Sequence, residues 1–105
     1  MEVFKYDDGE NTINLYGNGS NSIFIRSYQI NSGKLFVVLL NKAFSDMNKL
    51  GYKTHRQHVS KTDYENIITK KPEWKLICIE DDGAYCCECE IDLAASLIIE
   101  AFMSI

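Results

Sequence analysis

The chain has 105 residues, 46% hydrophobic and 25% charged, with four cysteines and a formal net charge of −4. That size predicts one domain, residues 1–105, burying roughly two thirds of its unfolded surface, and the composition excludes the disordered and low-complexity classes. The longest apolar run, Leu35 to Leu40, has six residues against the ~20 that a membrane-spanning helix needs, so no membrane partner is expected.

Residues 2–6 predict a short strand, ended by Asp7-Asp8-Gly9. Thr12 to Tyr16 alternates, with Ile13 and Leu15 on one side, and Gly17-Asn18-Gly19-Ser20 predicts a hairpin turn. Ser22 to Ile30, rich in β-branched and aromatic residues, completes an antiparallel meander. Leu35–Leu40 taken alone reads as a buried strand. Taken onward, Phe36, Leu39, Leu40, Ala43, Phe44, Met47 and Leu50 recur at three- and four-residue spacing, which favours a helix. Ser32 suits its N-cap and Gly51 its C-terminal stop, for about seventeen residues.

Residues 52–61, polar and basic, predict a surface loop. Thr62-Asp63-Tyr64-Glu65 has capping-box spacing and predicts a helix from Asp63 to about Lys70, stopped by Pro72. Trp74 to Glu80 and Ala84 to Ile91 predict a hairpin turning at Asp81-Asp82-Gly83. Asp92 is expected to cap a last helix whose Leu93, Leu97, Ile98, Ala101, Phe102 and Ile105 form one apolar face. The fold class is α+β: an antiparallel sheet, made of the N-terminal meander and the C-terminal hairpin, packed against two or three helices.

Charge is segregated along the chain. Residues 41–75 hold eight bases against four acids, whereas residues 76–105 hold seven acids and no base. Residues 80–92 alone gather six acids and three of the four cysteines. Strand alternation places Cys87 and Cys89 with Tyr85 and Ile91 on an apolar face, as small buried hydrophobes. It places Cys86 with Glu88 and Glu90, where it is expected to be the more exposed or to pair across the hairpin with Cys78. No Cys-x-x-Cys spacing marks a zinc site. His55 and His58 sit among Lys53, Arg56 and Lys61 without a local carboxylate, so a solvated basic loop is expected there rather than a ligand pair. The acid-rich turns lack the spacing of a calcium loop, and no glycine-rich phosphate loop is present. No catalytic residue, metal or cofactor is therefore implied. The acidic total also argues against direct nucleic-acid binding.

What remains is a surface. Asp81, Asp82, Glu88 and Glu90 are expected to form a negative patch, with Asp7, Asp8 and Glu10 as secondary contacts and Tyr85 or Trp74 as the rigid anchor. The first eight residues have neither the basic nor the apolar region of a secretory signal, so a cytoplasmic location with reduced cysteines is expected.

A small acidic α+β domain with the turns Tyr6-Asp7-Asp8-Gly9 and Glu80-Asp81-Asp82-Gly83 resembles the cytoplasmic immunity proteins of bacterial toxin systems, those of contact-dependent growth inhibition above all. The resemblance extends over the whole chain as a profile and carries no residue over by position. It implies a non-enzymatic inhibitor that binds a cognate cationic toxin, often a nuclease, and blocks its active-site cleft. Two alternatives stand beside it. One is a small metal- or thiol-dependent enzyme using Cys78, Cys86, Cys87 and Cys89; the other is a phage-type charge mimic that inhibits a nucleic-acid enzyme.

Overall fold

The computed structural model describes residues 1–19 and 21–102, Phe102 by its backbone alone. Three strands, β1 (Glu2–Asp7), β2 (Thr12–Asn18) and β3 (Ser22–Gln29), form the expected antiparallel meander. The 17-residue helix α1 (Gly33–Lys49) follows, so residues 35–40 are helical and not a strand. Ser32 fixes its start: the backbone there is extended, and the hydroxyl accepts a hydrogen bond from the Leu35 N–H.

The chain continues through β4 (Thr54–Val59), the short helix α2 (Lys61–Asn66) and one 3-10 turn (Ile68–Lys70). It ends in the hairpin of β5 (Lys75–Ile79) and β6 (Tyr85–Glu90) and the helix α3 (Ile91–Phe102). The six strands make one sheet in the order β1-β2-β3-β4-β6-β5. Only the β3–β4 pair is parallel, because α1 crosses between those two strands. The architecture is α+β, with a mostly antiparallel sheet.

Strand β4 corrects the expected surface loop at residues 52–61. Its inward positions, His55, Gln57 and Val59, pair with Cys89, Cys87 and Tyr85 of β6. Two of these three are polar, so the alternation that announces a strand is missing from the sequence. In the fold they pair, His55 Nε2 lying 2.9 Å from Gln57 Oε1, while the buried His55 Nδ1 has no hydrogen-bond partner among the described residues. The fully buried His55 ring meets Phe44 edge-on at 5.1 Å between centroids and Trp74 at 6.4 Å.

Two helix starts also differ. Ser60, not Thr62, caps α2, by accepting from the Asp63 N–H at 3.1 Å, and the α-helix stops at Asn66. Asp92 lies inside the first turn of α3, where its charge still suits the helix N-terminus. The Ile91 N–H at that start is bound by Lys53 O at 2.9 Å. The expected apolar contacts of the Phe102 side chain and of Ile105, and the part of the 17–20 turn at Ser20, lie outside the described residues.

One core joins these elements. Phe36, Leu39, Leu40, Ala43, Phe44 and Met47 of α1 and Ile91, Ala94, Ala95, Leu97 and Ile98 of α3 bury against Ile13, Leu15, Ile23, Val59, Cys87 and Cys89 of the sheet. Tyr64 and Ile67, from and just after α2, pack on the same cluster. All three helices therefore lie on one face of the sheet, and the other face is open. No helix among the described residues is long and apolar enough to cross a membrane.

Burial holds the His55 imidazole neutral, pushed down to about 4 from its ordinary 6.5, against smaller upward pulls from Gln57 and the Ile23 backbone. Between pH 6.5 and 4 the unfolded chain binds a proton at His55 that the folded chain refuses. The stability tied to this group is therefore complete above pH 6.5 and falls with pH through that window, by about 3 kcal/mol at its acid end. Denaturant titrations of wild type and His55→Leu above pH 6.5 and near pH 4 check this. The wild type should lose more stability than the variant on acidification, and equal losses would contradict it.

Candidate functional site

The register builds the open face row by row. Arg56 of β4 sits opposite Glu88 of β6, which in turn faces Lys75 of β5. The next row is His58, Cys86 and Cys78, and Glu90 faces Thr54. Charges segregated along the chain are thus mixed in space. Arg56 Nε donates to Glu88 Oε2 at 2.9 Å, and this bond leads the causes that raise the affinity of the guanidinium for its proton. Lys71 Nζ lies 3.0 Å from Glu100 Oε2 on α3, and His58 Nε2 3.5 Å from Glu80 Oε1. The expected uncompensated acidic third is corrected accordingly: β4 brings a base to Glu88, while Glu90 has no ion pair among the described residues.

Strand direction gathers the acid-rich turns. β1 and β5 run the same way, so Asp7–Glu10 and Asp81–Gly83 both sit at one end of the sheet. Four strand spacings separate them, roughly 19 Å. In each turn an aspartate folds back on the backbone and a glycine takes the left-handed conformation, φ +90 at Gly9 and +88 at Gly83. Asp7 Oδ1 accepts the Gly9 N–H, and Asp82 Oδ1 accepts the Ala84 N–H, both at 2.9 Å. Asp8 accepts from Asn11 (side chain and backbone), from the Glu10 N–H and from the Tyr6 hydroxyl. These bonds, led by the Asn11 side chain, lower its carboxyl to about 2, and Asp8 in turn raises the Tyr6 phenol. Asp7, Asp8 and Asp82 therefore build turns, whereas the Glu10 and Asp81 carboxylates make no hydrogen bond or ion pair among the described residues.

The expected anchors move. Trp74 is 7% exposed and belongs to the core, so it is not offered to a partner. Tyr85 is half-buried on the helix side, its ring 4.7 Å from that of Tyr64. Exposed apolar side chains lie instead on β5, the sheet edge: Leu76, Ile77 and Ile79, the last 55% exposed. Sequence reading missed them because Leu76-Ile77-Cys78-Ile79 has the continuous apolar character of a buried strand.

The cysteines divide by face. Cys87 and Cys89 are buried in the core as expected, and desolvation pushes their thiols up to about 11 and about 12. Of the two expectations for Cys86, exposure or pairing across the hairpin with Cys78, the second holds: it sits opposite Cys78 and is only 3% exposed, on an interior strand between His58 and Cys78. All four are free thiols, and two of them face away from the other two, so a single centre of four cysteines is ruled out. The two histidines likewise point to opposite faces. On the open face, one donor atom each from His58, Glu80 and Cys86 lie within 4.8 Å of one another. Cys78 Sγ is 3.4 Å from Glu80 Oε1. His58 and Glu80 border an open depression of about 670 Å³ that Phe24, Arg26, Asp81 and Asp82 also line.

Comparison of the chain with protein-family models, with curated proteins and with solved structures finds no match.

The Arg56–Glu88 pair is partly shielded, so its coupling in a double-mutant cycle (Arg56→Ala, Glu88→Ala, both) should reach about 1 kcal/mol at low salt and shrink as salt is added. Zero coupling at low salt would show that the two charges do not interact in solution.

Proposed function

We propose that the chain is a non-enzymatic binding protein of the immunity type, which captures a cationic toxin protein, a nuclease domain above all, in the cytoplasm. The observation that supports this most is the juxtaposition of an unpaired, apolar sheet edge with an acidic turn. Folded proteins usually protect edge strands with charge, bulges or a covering segment, since bare backbone groups invite pairing with another chain, and the one such device in the apolar stretch of β5 is an irregularity between Leu76 and Cys78. Here β5 presents Leu76, Ile77 and Ile79, then runs directly into Glu80, Asp81 and Asp82. Solubility alone accounts for acids in a turn, but not for three exposed aliphatic residues beside them.

In this reading the apolar edge anchors the partner and its backbone groups extend the sheet. Asp81, Asp82 and Glu90 steer a basic surface onto that edge, and Asp7, Asp8 and Glu10 extend the field along the same end of the sheet. Glu88 contributes less than its sequence position suggests, because Arg56 already neutralises it. Trp74 drops out, and Tyr85 acts by supporting the hairpin from beneath.

Co-expression with the product of the reading frame immediately upstream tests the proposal. That product should be toxic alone and harmless beside this chain, and should form a complex with it. Asp81→Lys combined with Glu10→Lys, at two carboxylates that hold no turn together, should slow association at least about tenfold at low salt and leave thermal stability unchanged. A harmless upstream product, or unchanged association by the reversed variant, would refute the reading.

A further inference from the structure

The row His58–Cys86–Cys78 runs straight across three adjacent strands, with Glu80 just beyond it where β5 leaves the sheet. Donor atoms of His58, Glu80 and Cys86 thus lie close together on the open face, and Cys78 joins the group through Glu80. We propose that Cys78, Cys86, His58 and Glu80 form a binding site for a thiophilic divalent cation of the zinc class.

The distances fit such an ion. Bonds of roughly 2.0–2.3 Å in a tetrahedral zinc site put its donors about 3.3–3.8 Å apart. Glu80 Oε1 already stands 3.5 Å from His58 Nε2 and 3.4 Å from Cys78 Sγ. Cys86 Sγ lies within 4.8 Å of the His58 and Glu80 donors. For His58, Glu80 and Cys86 the remaining contraction is about an ångström, taken up by the half-exposed His58 and Glu80 side chains, while the exposed Cys78 side chain must swing in from β5 as the fourth donor.

The donor chemistry also selects. Two sulfurs, one imidazole and one carboxylate suit zinc, whereas calcium and magnesium prefer oxygen throughout. Desolvation is the main obstacle to a Cys86 thiolate, and the Arg56 guanidinium one row away offsets part of it. Arg56 is itself held in place by Glu88. A chance cluster of surface acids would hold no sulfur, and the core cysteines Cys87 and Cys89 take no part because they face the helices. The site stands independently of any toxin partner.

The test is Co²⁺ titration of the reduced, tag-free full chain, followed by competition with Zn²⁺. One Co²⁺ per chain should bind with a thiolate-to-cobalt charge-transfer band, and Zn²⁺ should displace it. Cys86→Ser should weaken binding more than about 100-fold, beyond the roughly 10- to 100-fold that outer-shell changes cost. His58→Ala and Cys78→Ser, at exposed positions that leave the core intact, should weaken it in the same direction, while Cys89→Ala should bind like wild type. Absence of the charge-transfer band in the folded wild type would overturn the proposal. So would undiminished binding by a Cys78→Ser, His58→Ala double variant.

Discussion

The whole architecture depends on the short parallel contact between β3 and β4. Only two residue pairs are in register there, Ser22 with Thr54 and Ile23 with His55. The contact is reinforced where it is shortest: the Ser22 and Thr54 hydroxyls share a hydrogen bond of 2.6 Å, and Asn21 O accepts from the Lys53 and Thr54 N–H groups. Without it the chain would hold two separate three-stranded sheets, β1-β2-β3 and β4-β6-β5, each with only part of the apolar face that α1 and α3 cover. With it, one sheet extends beneath α1 and α3, and a single core forms.

The chemistry of the open face follows from the same strand. β4 sets Arg56 and His58 against β6 and so pairs Glu88 with a base, while Glu90 and Asp81 have no ion pair among the described residues. The cost is a fully buried imidazole, which stays neutral because water is excluded from it and which relies on Gln57 for one of its two ring nitrogens. Beyond β6, β5 has no further neighbour among the described residues. Of the two edge strands, β1 and β5, it is β5 where aliphatic side chains and the acidic turn come together.

Much of this was legible from residues alone. The meander, α1 with its Ser32 cap, the hairpin, and the Asp-Asp-Gly turn in both meander and hairpin follow from periodicity and turn chemistry. Strand β4 was not legible, because His55 and Gln57 occupy inward positions that apolar residues usually mark, and only the fold reveals that they bond to each other. The burial of Cys86 escaped for a related reason: alternation assigns a side chain to a face but does not say whether neighbouring strands cover it. Trp74 looked like a surface anchor because nothing local shows it meeting His55. The approach of His58 to Glu80 and Cys86 is a long-range consequence of strand order, and no spacing along the chain encodes it.

Amide hydrogen exchange of the chain, alone and mixed with the product of the reading frame immediately upstream, is the most direct measure of whether the β5 edge is the binding surface. Complex formation should protect amides of residues 75–83 most strongly, with weaker protection at residues 7–11 and little change in α1. Protection centred on the exposed side of α1, or none in residues 75–83 of a formed complex, would contradict an edge-strand mode of capture.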